Sequence, residues 1–348
     1  MSLEELNRLL KEKNLRGYWT REEAPAYEPV VSMKPWLWKW ADIQIALEGA
    51  AKHVSIAQAF RRNIGLENPT GHSKTINMGL QLILPHEKAR AHRHTAEAIR
   101  FVIQGNAKVW STVDGEAMAM EPGDLVLTPN WTWHDHVNES SEPVIWIDGL
   151  NAVISGYLGL SFREDYPTPQ QPVEGLPDYS RHSAALARPT WLKPPSDLPG
   201  MPYRYPWAET VNSLNALKNS EGDPCDGVLL QYANPWNGGA TLPFIACSVQ
   251  LLQAGSKTRS HRHTSIHYYH VIQGTGVTQA GETSLEWGRR DFFIVPPWCR
   301  HSHENLGGED AILFSMSDEP FLKPLGLYRE EIEGDLVARE RKRWFGTR

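Results

Sequence analysis

The chain has 348 residues, a net charge of −6 and an isoelectric point near 6.2. That length accommodates two domains of ordinary size with extensions, and the acidic balance gives no electrostatic case for binding nucleic acid or an anionic membrane. No apolar run reaches membrane-spanning length, the N-terminus lacks the pattern of a secretory signal, and Cys225, Cys247 and Cys299 are too few and too far apart for a disulfide framework or a thiolate metal site, so a cytoplasmic protein is expected.

In chain order, residues 2–13 carry leucines at helical spacing behind a serine suited to capping, which predicts an N-terminal helix. Residues 41–51 and 55–63 read as two further short helices. From about 73 to 160 the texture becomes β. Residues 80–84, 99–103, 125–127 and 144–147 are short apolar or alternating runs, separated by turn clusters such as Asp114-Gly115-Glu116 and Glu121-Pro122-Gly123-Asp124. A proline-rich stretch over 162–205 predicts extended, semi-rigid backbone that wraps a neighbour. A second β region covers about 227–317, and 318–348 form a tail ending in a charged helix. The expected organisation is an arm over 1–72, a β domain over 73–160, a linker over 161–226, a second β domain over 227–317 and the tail.

The two β regions are copies of one unit. His92-Arg93-His94-Thr95 recurs as His261-Arg262-His263-Thr264, and Val102-Ile103-Gln104-Gly105 as Val271-Ile272-Gln273-Gly274, each 169 positions on. Gln81 answers Gln250 and Arg90 answers Arg259 at the same offset. Two residues are then lost, after which Asp124, Pro129, Trp131, His134, His136 and Asn138 answer Asp291, Pro296, Trp298, His301, His303 and Asn305, 167 positions apart. Two copies indicate paired domains, since a solenoid needs about three or more. The regular short strands predict an all-β-dominated fold of two double-stranded β-helix (jelly-roll) domains of the cupin type, with short N-terminal and C-terminal helices. Such a domain can hold a small ligand in its interior.

On a strand, residues i and i+2 share a face, so His92 and His94 point together, as do His134 and His136. If both pairs face the interior, three or four imidazoles meet in one pocket, and neutral imidazole is the commonest protein ligand for transition metals. A lone histidine is more often a hydrogen-bonded core residue, but two matched pairs reverse those odds for metal binding. The usual cupin pattern adds a glutamate four or five residues beyond the second histidine. Here Ala98 and Ile99 hold those positions, and Glu97 has the opposite parity. The first site is therefore expected to be all-histidine, built from His92, His94 and one of the later pair. Three neutral ligands on one face leave up to three positions open to a bidentate anion and dioxygen. That suits an octahedral Fe(II) and fits structural zinc poorly.

Arg100 shares the inward parity of His94 inside an apolar run. A buried cation needs an anionic partner, and its planar fork suits a carboxylate. The second copy has Tyr269 at that position, so the two sites have diverged where a substrate would bind. His267 follows His263 by four, at the usual glutamate position. His261, His263, His267 and His301 are then a candidate four-histidine metal site without the arginine.

The runs Gly79-Leu80-Gln81-Leu82-Ile83-Leu84-Pro85, His92-Arg93-His94-Thr95, Ala98-Ile99-Arg100-Phe101 and Thr128-Pro129-Asn130-Trp131-Thr132-Trp133-His134-Asp135-His136 together resemble the gentisate 1,2-dioxygenase family. These are bicupin, Fe(II)-dependent ring-cleaving enzymes that include salicylate and 1-hydroxy-2-naphthoate dioxygenases. Flanking segments such as Pro35-Trp36-Leu37-Trp38-Lys39-Trp40 and Gly326-Leu327-Tyr328-Arg329-Glu330 agree, so the resemblance spans nearly the whole chain after the first few dozen residues. It implies that His92, His94 and His134 hold Fe(II) and that Arg100, with Arg61 or Arg62, holds the substrate carboxylate. It also implies that Gln81 and His136 line the pocket, with His136 placed to hydrogen-bond substrate or move a proton. The implied substrates are a small aromatic ortho-hydroxycarboxylate and O2, with cleavage between the carboxylate-bearing and hydroxyl-bearing carbons. The implied assembly is a homo-oligomer, often a tetramer. Asn77 and Gly79 are smaller than the side chains expected ahead of Gln81 in gentisate-selective members, which implies a roomier pocket open to salicylate and 5-nitrosalicylate as well as gentisate. The rival expectations are a decarboxylase or isomerase of small acids, which would generally keep the glutamate that the first copy lacks, and a non-catalytic bicupin that binds a small molecule.

Overall fold

The computed structural model describes residues 1–20, 28–56, 61–174 and 203–333. Met1–Val31 and Ser32–Arg348 form two compact units. In the first, the expected helix is Leu3–Glu12 and Ser2 starts it. The Ser2 hydroxyl accepts from the Glu5 amide while the Glu5 carboxylate accepts from the Ser2 amide, which satisfies two donors that a helix start would otherwise leave unpaired.

In the second unit the strands pair antiparallel in four sheets, two for each copy of the repeat. The larger sheet of the first copy runs in the order Tyr203–Tyr205, Leu125–Thr128, Ala98–Gln104, Val144–Leu150, Asn77–Ile83, Arg62–Gly65. The smaller runs Arg163–Asp165, Lys88–His94, His134–Asn138, Asn106–Val113, Glu116–Met120. Alternation along these strands sets Val102, Val126, Val144 and Trp146 of the one against Val109, Val113, Met118 and Met120 of the other. Each fully buried side chain of this kind stabilises by roughly 1.5–3 kcal/mol. The second copy repeats the plan around Tyr269, Val271, Trp287, Phe293 and Leu313. The outward faces of the two larger sheets meet each other. Phe101 stacks on Phe314 at 4.2 Å, and a Cβ on Gly149 would collide with the Met316 sulfur.

The duplicated unit is longer than the β regions alone. Trp36–Trp38 adds to the larger sheet of the second copy, beside Phe292–Val295, while Tyr203–Tyr205 adds to that of the first, beside Leu125–Thr128. These segments lie 167 positions apart, as do the two strands they cover. Each copy thus lends the strand ahead of it to the other copy, and an otherwise unpaired sheet edge is closed. A helix follows each lent strand: Trp40–His53 where 41–51 was expected, and Trp207–Leu217 inside the stretch expected to be only an extended linker. One aspartate fastens each junction. Asp291 accepts from the Trp40 amide at 2.8 Å and from Lys39 Nζ at 2.9 Å, and Asp124 accepts from the Trp207 amide at 2.9 Å and from Arg204 Nε at 2.8 Å. A carboxylate at the first turn also meets the positive end of the helix dipole.

Other elements differ from expectation. The helix over 55–63 fails at its end, where Arg62–Gly65 is a strand; pairing with the exposed edge of Asn77–Ile83 outweighs local helix propensity. Residues 57–60 lie outside the described residues. The arm over 1–72 does not stand apart, since 36–38 and 62–65 are strands of the two larger sheets. The tail supplies a short helix, Glu319–Leu322, and a strand, Glu330–Ile332; the expected terminal helix falls mostly in 334–348, outside the described residues. The three cysteines are free. No helix among the described residues is long and apolar enough to cross a membrane.

Replacing Asp291 by Ala removes the fastening of one lent strand and its helix. We expect Asp291→Ala to lose about 1–3 kcal/mol of stability in denaturant unfolding, with Asp124→Ala losing a similar amount. No change in either variant would show that the lent strands are held by packing alone.

Candidate metal centre and active site

His92 and His94 lie at the end of Lys88–His94, and His134 opens the neighbouring strand His134–Asn138 directly opposite His92. Behind them, Arg93 stacks over Trp131 and Trp133 at 4.5 and 4.4 Å and pairs with Glu164 at 2.6 Å, which fixes the outer face of the same strand. Inside, one nitrogen from each of His92, His94 and His134 lies within 4.8 Å of the other two.

A backbone carbonyl orients each ring. His92 Nδ1 donates to Arg90 O at 2.8 Å, His94 Nδ1 to Ala96 O at 2.7 Å and His134 Nδ1 to Thr132 O at 3.0 Å. A carbonyl only accepts, so the proton sits on Nδ1 and each Nε2 presents its lone pair inward. Nε2 of His94 and of His134 is buried with no hydrogen bond within the protein, and Nε2 of His92 accepts from Arg61. Burial and then Arg61 hold His92 down to about 2 and His94 down to about 4, so these rings are neutral at pH 7, the form that ligates. The donor set fits a divalent transition metal with open positions.

Arg100 is buried beside the triad and donates to Thr128 Oγ1. Its Nε lies 4.0 Å from one oxygen of Asp148, and Arg61 lies 3.9 Å from the other. Asn63 donates to Asp148 at 3.1 Å. Burial lowers Arg100 to about 10, which leaves it a cation at neutral pH. One buried carboxylate thus faces two guanidinium groups, and the pocket keeps a surplus positive charge. Both His136 nitrogens, the Gln81 amide, Trp146 Nε1 and Asn77 Oδ1 are buried without a partner in the protein. Such a concentration of unsatisfied polar atoms is rare in a core and marks a ligand cavity.

Three expected residues are placed differently. Arg62 donates to Glu87 at 2.5 and 2.8 Å and to Val54 O at 2.6 Å; the alternation that turns Arg61 toward the triad turns Arg62 away, so of the two it is Arg61 that reaches the pocket. Gly79 sits at a close approach between strands. A Cβ there would lie 2.7 Å from Asn63 Oδ1 and 2.8 Å from Ile64 O, so the missing side chain makes room for the neighbouring strand and for Asn63. In the second copy, His261, His263 and His301 converge within 4.8 Å, whereas His267 is not part of that group and packs its ring 4.3 Å from that of His263. Asp148, Asn63 and Thr128 were missed. The signal for Asp148 was present, as an acid closing the apolar run 144–147 at the parity of Trp146.

A cupin-domain family model matches residues 79–150 and 248–317. The chain is 40% identical to 5-aminosalicylate 1,2-dioxygenase of Comamonas sp, over 88% of this chain and 83% of that one. It belongs to the gentisate and salicylate 1,2-dioxygenase family. Gentisate 1,2-dioxygenase of Haloferax sp is 35% identical over 93% of this chain and 94% of its own. Salicylate 1,2-dioxygenase from Pseudoaminobacter salicylatoxidans, in its adducts with gentisate, superimposes with a TM-score of 0.84 at 28% identity, covering 95% of this chain and 94% of the other. Within this dioxygenase, Glu97 does not join the triad, as its opposite parity implies. It is buried, and its carboxylate accepts from the Phe244 amide at 2.8 Å, bridging the first cupin to the second.

Burial pushes Glu97 up to about 8, against hydrogen bonds from the Phe244 and Ile245 amides that pull it down. A raised folded-state value means that the stabilising contribution is complete below the unfolded value of about 4.3 and is lost as pH rises through about 8. Glu97→Gln mimics the protonated form. Denaturant unfolding should therefore show the variant gaining on the wild type between pH 5 and 8.5; a difference that stays constant over that range would mean that Glu97 is ionised throughout.

Proposed function

We propose that this dioxygenase uses Fe(II) held by His92, His94 and His134 to cleave the ring of a salicylate-type acid with O2. The candidates are gentisate, salicylate or a 5-substituted salicylate. The bond broken joins the carboxylate-bearing and hydroxyl-bearing carbons, and the product is a ring-opened oxo-dienedioate that carries both oxygen atoms. One observation carries the reading: three imidazoles with their Nε2 lone pairs turned to one point stand beside two buried arginines that share a single aspartate. Fe(II), when bound, supplies a centre that the carboxylate and ortho-hydroxyl of the substrate can chelate and through which electrons reach dioxygen.

The chain's own residues do the rest. Arg100 and Arg61 hold the carboxylate, whose negative charge cancels the surplus cation left over from Asp148. Thr128 and Asp148 fix the Arg100 fork, and Asn63 fixes Asp148, so the carboxylate meets a preset geometry. His136, held far below its usual value by burial and then by Arg100, is neutral, with both nitrogens free of protein partners. It is placed to hydrogen-bond the ortho-hydroxyl or relay its proton, while Gln81 hydrogen-bonds the same region. Asn77 lies on the same face as Gln81, four residues earlier on the strand, and offers a buried amide oxygen to a donor on the far side of the ring. The Trp146 core excludes water from beneath.

The test is oxygen uptake after anaerobic Fe(II) loading, across gentisate, salicylate, 5-aminosalicylate and 5-nitrosalicylate. Uptake of one O2 per ring cleaved is expected with at least one of them. Arg100→Gln should keep its metal and lose about a hundredfold or more in kcat/KM, the cost of an unpaired buried carboxylate. No uptake with any ortho-hydroxyarenecarboxylate would refute the reading.

A further inference from the structure

The two cupins carry the same triad with differently charged walls. In the first, the strand Arg163–Asp165 borders Lys88–His94 and sets Arg163 opposite His94. In the second, the corresponding strand Glu330–Ile332 borders His261–His263 and sets Glu330 opposite His263, 167 positions after Arg163. The outer residues of the same strands are unchanged: Arg93 pairs with Glu164, and Arg262 pairs with Glu331 at 2.8 Å. The change is therefore confined to the other face of the strand, where Arg163, exposed and paired with Asp165 at 2.9 Å, gives way to Glu330, and Asp165 to Ile332. At the other wall, Arg100 and its strand partner Asp148 become Tyr269 and its strand partner Ser315. The second cavity, of about 200 Å³, is lined by His261, His263 and His267 together with Asp226, Glu319 and Glu330, and among the described residues no arginine or lysine lines it. Arg300, the cation felt at His261, pairs with Glu331 at 3.7 Å and lies outside that lining.

The second triad retains ligand geometry. Nδ1 of His263 donates to Ser265 O at 2.9 Å and Nδ1 of His301 to Cys299 O at 3.0 Å, which turns both Nε2 atoms inward. Nε2 of His261 lies 2.9 Å from Nε2 of His301. Two nitrogens about 2.1 Å from one metal and at right angles to it stand about 3 Å apart. A divalent ion on three neutral imidazoles brings two positive charges into a cavity lined by Asp226, Glu319 and Glu330. In the first cupin the same ion adds to a surplus of cations and calls for an anionic ligand.

We propose that the second cupin binds its own divalent transition-metal ion through His261, His263 and His301, and that its acidic wall excludes arenecarboxylates. The chain then holds two metals and one ring-cleaving centre. The second metal goes beyond the ring-cleavage reading and does not need it, because metal can be counted without turnover; the single ring-cleaving centre rests on that reading.

The full-length protein, stripped with chelator, reloaded with Co(II) and desalted, should contain two metals per chain. His261→Ala/His301→Ala should contain one, and so should His92→Ala/His94→Ala. In the latter, the visible spectrum of the remaining Co(II) should not change on adding salicylate, whereas that of His261→Ala/His301→Ala should. Glu330→Gln keeps the triad and the fold, so it guards against a histidine variant that fails to fold; by chelator competition its weaker Co(II) should be released about tenfold more readily than in the wild type. One metal per chain in the wild type, two in His261→Ala/His301→Ala, unchanged competition in Glu330→Gln, or a salicylate-dependent shift of the second-site Co(II) would each overturn the proposal.

Discussion

Three hydrogen bonds from imidazole Nδ1 to backbone carbonyls set the chemistry of the first cupin. Arg90, Ala96 and Thr132 each give up a carbonyl to one histidine, and in doing so choose the tautomer. Without that choice a neutral ring could present either a proton or a lone pair to the cavity, and only the lone pair binds metal. Each carbonyl lies two residues from its histidine, so the segment of chain next to a ring also orients it. The outer Arg93 clamp and the left-handed turn at Trp131, whose amide donates to His94 O, hold those strands in register. A one-residue slip would turn all the rings to the outer face.

From that constraint the rest of the pocket follows by charge. Neutral ligands leave the metal's charge uncompensated, and the two arginines around Asp148 add to it, so the cavity favours an anion. The second cupin keeps the ligands and the glutamine at 250, yet has Tyr269 in place of Arg100 and Glu330 in place of Arg163, and Asp226 and Glu319 also line its cavity. A duplicated scaffold has thus been separated into two electrostatic environments by few substitutions, while the outer Arg–Glu pairs and the tryptophan turns remain alike.

What could be read from the sequence was whatever depends on parity along one strand. His92, His94 and Arg100 follow from alternation, Gln81 from the family resemblance, and the repeat offset marks their partners. Features that need a second strand were not legible. Neither the exchange of Trp36–Trp38 and Tyr203–Tyr205 between the copies nor the filling of the Gly79 gap by Asn63 leaves a local mark. Choosing between Arg61 and Arg62 required knowing that 62–65 is a strand, because in a helix the two would have diverged differently. Of the four histidines expected in the second copy three converge, and His267, which opens a strand of the larger sheet, packs its ring beside them, a placement that spacing alone did not show.

The account rests on where a metal binds in the first cupin and through which atoms. Anomalous diffraction at the iron edge from anaerobically Fe(II)-loaded crystals reads this directly. It should give a peak about 2.0–2.2 Å from Nε2 of His92, His94 and His134, with no side-chain carboxylate closing the remaining positions. A peak ligated through Nδ1, a carboxylate ligand from the chain, or no iron at this triad would contradict it.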